Sequence, residues 1–364
     1  MGRLAVYVTS HGFGHLNRTV AVLNRVPDDI PITIRCHENL FGGWRERLTR
    51  GATLEHHVSD SGAFNPPGDS AATDGPEMLR RAKECFDAAM AAVGDEAERL
   101  RAEGTAAVLC DAPPVPLVAA KRAGVPGYLL ANFTWAEIYR PHARDLGGHW
   151  PAFVHDLHHA YQHATALFRT EPALRMANVA PIIDVGMVVN HGKNRREELR
   201  RSLKLDPAAK LAYFYIGRYG QTDLPWDRLE AIDGVQFIGF HPAPVGPLKN
   251  LHVVPATEWN GADLAASTDA MVAKAGYGTA CEAMAHRVPL IYPPRAGFAE
   301  HAALDGALRA WGGGVPASSR DWNALRLAPL LSRALSLQPG ASPYAIDGAD
   351  RVAHYLTATC RDRS

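Results

Sequence analysis

Two histidines lie four residues apart in Thr9-Ser10-His11-Gly12-Phe13-Gly14-His15, directly after the apolar run 4–8. Imidazole changes charge near neutral pH, so a histidine in such a loop can take a proton from a hydroxyl. Asp111 closes a second apolar run, 106–110. A carboxylate bonded to the other ring nitrogen would fix the tautomer of a basic histidine and support its charged form. The pattern offers His15 as a base with Asp111 as its partner, and His11 as the competing base. A turn histidine, and an aspartate capping the loop before Pro113-Pro114, are the plain readings of the same residues.

A second group can hold an anion. In Val272-Ala273-Lys274-Ala275-Gly276-Tyr277-Gly278-Thr279-Ala280-Cys281-Glu282, an apolar run leads through two glycines into a helical pattern closed by Val288-Pro289. The first turn of a helix leaves N–H groups unpaired at the positive end of its dipole, and glycines let a bound group come close. Glu282 follows about one turn later, where a carboxylate could accept hydrogen bonds from sugar hydroxyls. This element is expected to hold the diphosphate and ribose of a nucleotide-sugar on the amides of Gly276, Tyr277, Gly278 and Thr279, the Thr279 hydroxyl and Glu282. A cation can complete the phosphate site without metal. Arg218, after the apolar run 211–216, is preferred, with Lys274 second. Phe240, Thr257 and Trp259 are expected beside the base, with Trp259 for stacking. A glycine-containing helix start, exposed charges and a core tryptophan are the plain alternatives.

The elements that must position these groups read as repeated βα units, which implies parallel sheets covered on both faces. Strands are expected at 4–8, 30–36, 53–58, 106–110 and 127–131, then at 164–168 and 182–189. Long helices are expected at 77–103 and 134–163. A second βα series starts at 211, continues with a helix at 224–231, and ends with helices at 300–310, 323–336 and 349–359. Ligands of such sheets sit beyond the C-terminal strand ends, where His11, His15 and Asp111 fall. The segment 60–75 is rich in Gly, Pro, Ser and Asp without periodicity, as functional loops are. With 132–139 it is expected to wall the acceptor site, using His11, Phe13, Asp60, Phe64, Phe133 and Trp135. His155, His159 and His163 share one helix face, but without a nearby cysteine or an HExxH pattern they read as solvated or rim residues and no metal is expected.

The chain has 364 residues, enough for two domains, and 47% hydrophobic content, enough for ordinary cores. Lys+Arg and Asp+Glu are both 38, which disfavours a nucleic-acid partner. Five scattered cysteines without a CxxC suit reduced thiols and a cytoplasmic location. No signal peptide and no transmembrane run is expected. The oligomeric state is not readable.

Two Rossmann-like halves, a histidine loop and a glycine turn with a late Glu together resemble the GT-B glycosyltransferases. The chain is similar to UDP-sugar-dependent glycosyltransferases and to the N-acetylglucosaminyltransferase of peptidoglycan synthesis. Gly12-Phe13-Gly14-His15-Leu16-Asn17-Arg18 resembles the family's N-terminal Gly-x-Gly-His loop, with Gly14 on the donor side. Lys274 to Glu282, followed by Ala283-Met284-Ala285 and Val288-Pro289-Leu290, resembles the donor signature. The resemblance implies an α/β GT-B fold, two Rossmann-like domains facing each other across a cleft. It implies an acceptor domain at 1–190, a nucleotide-sugar domain at 191–345, and a C-terminal helix within 346–364 returning to the first. It implies an inverting, metal-independent hexosyltransferase with His15 as base and Asp111 behind it. A nucleoside-diphosphate sugar, UDP-linked, would be the co-substrate with no further cofactor, and a small molecule the acceptor. Glu300 and His301 stand where the family reads sugar hydroxyls with an Asp/Glu-Gln pair, and His301 in the Gln position leaves the sugar open. The Gly-Phe-Gly-His loop also resembles the UDP-sugar hydrolase of pseudaminic acid synthesis, so a nucleotide-sugar hydrolase or 2-epimerase is the alternative. A non-catalytic nucleotide-sugar binder is a third class, opposed by the joint presence of His15 and Asp111.

Overall fold

The computed structural model describes residues 2–66, 73–216 and 224–363. The first half runs β1 (Arg3–Val8), α1 (Phe13–Leu23), β2 (Ile32–Cys36), α2 (Phe41–Arg47), β3 (Thr53–His56), α3 (Gly75–Ala91), α4 (Val93–Ala102), β4 (Thr105–Asp111), α5 (Val115–Ala123), β5 (Gly127–Ala131), α6 (Trp135–Leu146), α7 (Trp150–Tyr161), β6 (Ala166–Thr170) and β7 (Ile182–Gly186). The second runs α8 (Arg196–Leu203), β8 (Lys210–Tyr215), β9 (Val235–Gly239), β10 (Leu251–Val253), α9 (Gly261–Ser267), β11 (Ala270–Ala273), α10 (Tyr277–His286), β12 (Leu290–Tyr292), α11 (Glu300–Trp311), β13 (Gly314–Pro316), α12 (Ser319–Asn323), α13 (Ala328–Ser336) and α14 (Gly348–Asp362).

The strands form two parallel sheets, ordered β3-β2-β1-β4-β5-β6-β7 and β10-β9-β8-β11-β12-β13. Each reverses direction of growth at its first strand, the doubly wound arrangement whose crevice at the carboxyl ends of the strands takes ligands. The local causes are plain. Strands β1, β4 and β5 are apolar without alternation because both faces are covered. Within β1, Ala5 and Tyr7 enter one core while Leu4, Val6 and Val8 enter the other, as the two-residue period requires. Thr134 and Glu137 form a capping box that starts α6. Gly124 and Gly312, at φ 74° and 86°, close α5 and α11 in the left-handed region.

Three sequence expectations are corrected. The helix expected at 77–103 is two helices, because Ala92 leaves helical geometry at φ −89°, ψ 1°. The helix expected at 134–163 is also two, parted by Gly147 and Gly148, both at positive φ. The helix expected at 224–231 is a 3-10 turn at 226–231, the short form that a Pro225 start and a six-residue span allow. Arg218 lies outside the described residues. Among those described, no helix is long and apolar enough to cross a membrane.

Helix α14 leaves the second half and lies on the first. Ala349, Val352, Ala353, Leu356 and Cys360 repeat at helical spacing and pack among Leu4, Val6, Leu109, Tyr128 and Phe168. Gly348 sits so close to the carbonyls of Val185 and Met187 that an added Cβ would stand 2.8 and 2.6 Å from them. Leu356 is fully buried. Leu356→Ala should therefore cost about 2–5 kcal/mol in urea-induced unfolding. A loss below about 1 kcal/mol would show that α14 is peripheral to the first core.

Candidate functional site

The site is built on the first turns of α1 and the carboxyl ends of β4 and β5. His15, Arg18 and Thr19 are spaced i, i+3, i+4, so one face of α1 presents all three. Asp111, the last residue of β4, is completely buried beneath them. Its carboxylate accepts from His15 Nδ1 at 2.7 Å, Arg18 Nε at 3.0 Å, Thr19 Oγ1 at 2.7 Å, and Arg18 Nη2. Burial alone would raise the Asp111 pKa, but the charge of Arg18, with His15, overcomes it and holds the carboxyl well below its usual range. An ionised Asp111 only accepts, so His15 Nδ1 carries a proton towards it, and Nε2 is the nitrogen turned away from the pair. Ala112 follows at φ 81°, and the bend is held where the Tyr161 hydroxyl donates to its carbonyl at 2.7 Å.

Around His15 the walls are aromatic. Phe133 meets it edge-on at 5.7 Å, and the rings of His11 and Trp135 lie 6.4 Å away. His15 is 8% exposed. His11 accepts from the Ala63 amide at 3.1 Å through Nδ1 and stacks on Phe298 of the second half at 6.2 Å. Burial first, then the charges of Arg295, His15 and Lys274, push its pKa well down. Asp60 is fixed by Thr9 Oγ1 at 2.8 Å and Trp135 Nε1 at 2.6 Å. Burial raises its pKa to about 6 although both hydrogen bonds lower it.

The second half contributes the amino end of α10. An added Cβ at Gly276 or Gly278 would meet nothing within 4 Å, so space lies open beside both glycines, while the Gly276 amide itself donates to the Lys274 carbonyl at 2.9 Å. Glu282 sits one turn on, against Gly261 and Tyr213. Burial pushes its pKa up to about 8. Lys274 follows β11 directly and is half-buried.

The halves meet through named contacts. Arg18 Nη1 donates to Asn132 Oδ1 at 2.7 Å, and Asn132 Nδ2 donates to Glu300 Oε1 at 2.7 Å. The Arg18 guanidinium stands 5.0 Å over the Tyr277 ring, and the Tyr277 hydroxyl accepts from the Val188 amide at 2.9 Å. His142 Nε2 donates to the Gly297 carbonyl at 2.7 Å.

The structure thus brings His15, Asp111, His11, Asp60, Phe133 and Trp135 together at one wall, with Glu300 reaching them from the other half. Other expected residues make contacts of their own, on either side of the cleft. Phe13 turns to α2, its ring 5.6 Å from the Arg47 guanidinium and beside Gly43. Phe64 carries Arg81 at 4.0 Å. Trp259 is buried with Arg195 covering one face at 3.9 Å, and Phe240 meets Tyr213 edge-on at 6.1 Å. Thr257 is exposed. The Tyr277 side chain is committed between the halves, which leaves its amide to α10. His155 and His159 are neighbours at 6.0 Å on α7, and both are exposed. Sequence reasoning missed Arg18, Thr19, Asn132, Arg295 and Phe298. The helical spacing of Arg18 and Thr19 from His15 was the available signal for the first two.

No protein-family profile matches the chain. A curated relative, "L-arabinokinase" of Arabidopsis thaliana, is 27% identical over 370 residues, which is 99% of this chain and 34% of that protein. The chain thus spans about a third of the length of the curated relative it matches. Solved structures similar across the whole chain are glycosyltransferases. The glycotransferase of kitacinnamycin aligns with TM-score 0.64 at 14% identity, covering 100% of this chain and 95% of that one. CalG4, the calicheamicin glycosyltransferase, aligns at 0.61 and 15%, covering 100% and 95%. UGT2 of Phytolacca americana, solved with UDP-2fluoro-glucose and pterostilbene, aligns at 0.60 and 15%, covering 100% and 94%. At such identities the likeness is one of fold, and the fold is GT-B.

One outcome follows from Asp60. Its folded pKa of about 6 stands above the ordinary 3.8. The folded chain keeps this proton to higher pH than the unfolded chain, so stability falls as pH rises from about 4 to about 6. Asp60→Asn should remove that slope in thermal unfolding across this window. Parallel wild-type and mutant curves would refute the shift.

Proposed function

We propose that the chain is an inverting glycosyltransferase moving a sugar from a nucleoside diphosphate, UDP by preference, to a hydroxyl of a small-molecule acceptor. The observation that carries this reading is the His15–Asp111 pair at one sheet's carboxyl edge, beside a second half whose α10 starts with open space at Gly276 and Gly278. The acceptor O–H gives its proton to His15 Nε2, while the bond from Nδ1 to Asp111 steadies the imidazolium. The acceptor oxygen bonds to the anomeric carbon from the face opposite the diphosphate, and the bond from that carbon to the diphosphate oxygen breaks with inversion. The departing charge is met by the α10 amides from Tyr277 to Thr279, the Thr279 hydroxyl and Lys274, so no divalent ion is required. Gly14 lines the same passage, Glu282 takes ribose hydroxyls, and Glu300 and His301 face the sugar. A neighbour solved with a UDP-sugar supports the choice of UDP. The curated relative's name concerns L-arabinose, so that sugar and its UDP-linked form belong in the first screen.

His15→Ala and Asp111→Asn should each lower kcat by about 10²–10⁴-fold, with His11→Ala keeping most of it. Loss with His11→Ala and retention with His15→Ala would reverse the assignment of the base. Release of free sugar without acceptor, as fast as transfer with it, would favour hydrolysis.

Glu282 adds a pH signature. Hydrogen bonds from ribose hydroxyls favour its charged form, so binding displaces a proton held up to about pH 8. UDP affinity should rise by up to about tenfold per pH unit towards pH 8 and level above it. Glu282→Gln should bind UDP weakly and without that rise. Isothermal titration from pH 6 to 9 measures both, and an unchanged mutant would remove Glu282 from the donor site.

A further inference from the structure

Arg295 follows β12, at the carboxyl edge of the second sheet. It is 8% exposed, yet its Nε and Nη2 are buried without a hydrogen-bond partner among the described residues. Its guanidinium lies 3.5 Å over the Phe298 ring, and Phe298 is the ring on which His11 stacks. Burial lowers its pKa to about 10 although the charge of Glu300 opposes this. Six residues on, His301 Nδ1 is also buried without a partner among the described residues. Donors in this state are costly unless something meets them. The carboxylate in range acts on Arg295 only through its charge, because Glu300 is bonded to Asn132 and gives Nε and Nη2 no hydrogen bond. Arg295, Lys274 and His15 all oppose a charge on His11, so this part of the cleft gathers positive potential on an aromatic floor.

We propose that Arg295 receives an anionic substituent of the sugar-bearing substrate, a carboxylate or phosphate, and that the protein selects acidic over neutral substrates through it. The fork of Nε and Nη2 fits two oxygens of one such group, and the buried setting keeps the pair from solvent screening. The inference rests on the reading of the cleft as a sugar-transfer site. The acidic group has two possible sources, the donor sugar or the acceptor, and both present the same oxygens to the guanidinium.

The test is isothermal titration of the full chain and of Arg295→Gln. One arm compares UDP-glucuronic acid with UDP-glucose. The other compares glucuronate and glucose 6-phosphate with glucose in the presence of UDP. The expected result is an anionic ligand bound about ten to a hundred times more tightly than its neutral counterpart in one arm. Arg295→Gln should lose that preference while binding UDP alone as the wild type does. Equal affinities in both arms of the wild type, or a preference kept by Arg295→Gln, overturn the proposal. If the variant fails to fold, Arg295→Met replaces it and is read the same way. If UDP and dTDP do not bind at all while free glucuronate or glucose 6-phosphate binds through Arg295, the transfer reading falls and the Arg295 site stands.

Discussion

A carboxylate taken wholly out of water stays ionised only where enough positive charge and donors meet it, and Asp111 is such a carboxylate. Its four donors all come from one helical face, so a single short element answers the charge. Arg18 matters most because its planar fork bonds the carboxylate and still has Nη1 for Asn132. A lysine could place its charge there but not the three directions at once. Arg18 bonds both oxygens of Asp111, and Oδ1, held in place by Nη2, also takes His15 Nδ1, which fixes the proton on that nitrogen.

The same guanidinium ties the two halves. It stands over Tyr277, whose hydroxyl takes the Val188 amide where the first half ends. Through Asn132 it reaches Glu300 at the start of α11. The orientation of the base and the alignment of the halves therefore rest on shared side chains. Two-substrate chemistry across a cleft needs this, because a small misplacement of either partner raises the barrier. The aromatic contacts of His11 and Phe133 with Phe298 close the same seam without adding charge.

The sheets were legible because parallel strands covered on both faces are unbroken apolar runs, as at 4–8 and 106–110. His15 and Asp111 were legible as residues beyond such runs, although no spacing in the sequence says that they touch across 96 positions. The break at Ala92 was not legible, since no Gly or Pro marks it, whereas the Gly147-Gly148 pair ahead of Pro151 was a turn signal that the expectation of one long helix passed over. Trp259 and Phe13 show the limit for aromatics: side of approach decides their role, and Arg195 and Arg47, which take it up, lie far away in sequence. Asn132 and Arg295 carry no motif at all. Their importance comes from what faces them, which only the fold supplies.

Among the described residues, two groups of opposite sign in the second half, Glu282 and Arg295, have no hydrogen-bonded ion-pair partner. Burial alone holds Glu282 at about 8, and Arg295 is drawn down to about 10. A sequence optimised for stability alone would pair them or replace them with apolar side chains. Each instead sits beside a helix start at the carboxyl edge of the sheet, Glu282 within α10 and Arg295 ahead of α11. In a doubly wound half that edge is where ligands lie. The cost of leaving them unpaired is carried by the rigid cores on both faces of the sheet. A site arranged in this way has its polar groups oriented before the ligand arrives, so little reorganisation remains at the moment of binding. The acid suits hydroxyls and the base suits an anion, and their separation along the edge distinguishes one end of a bound substrate from the other.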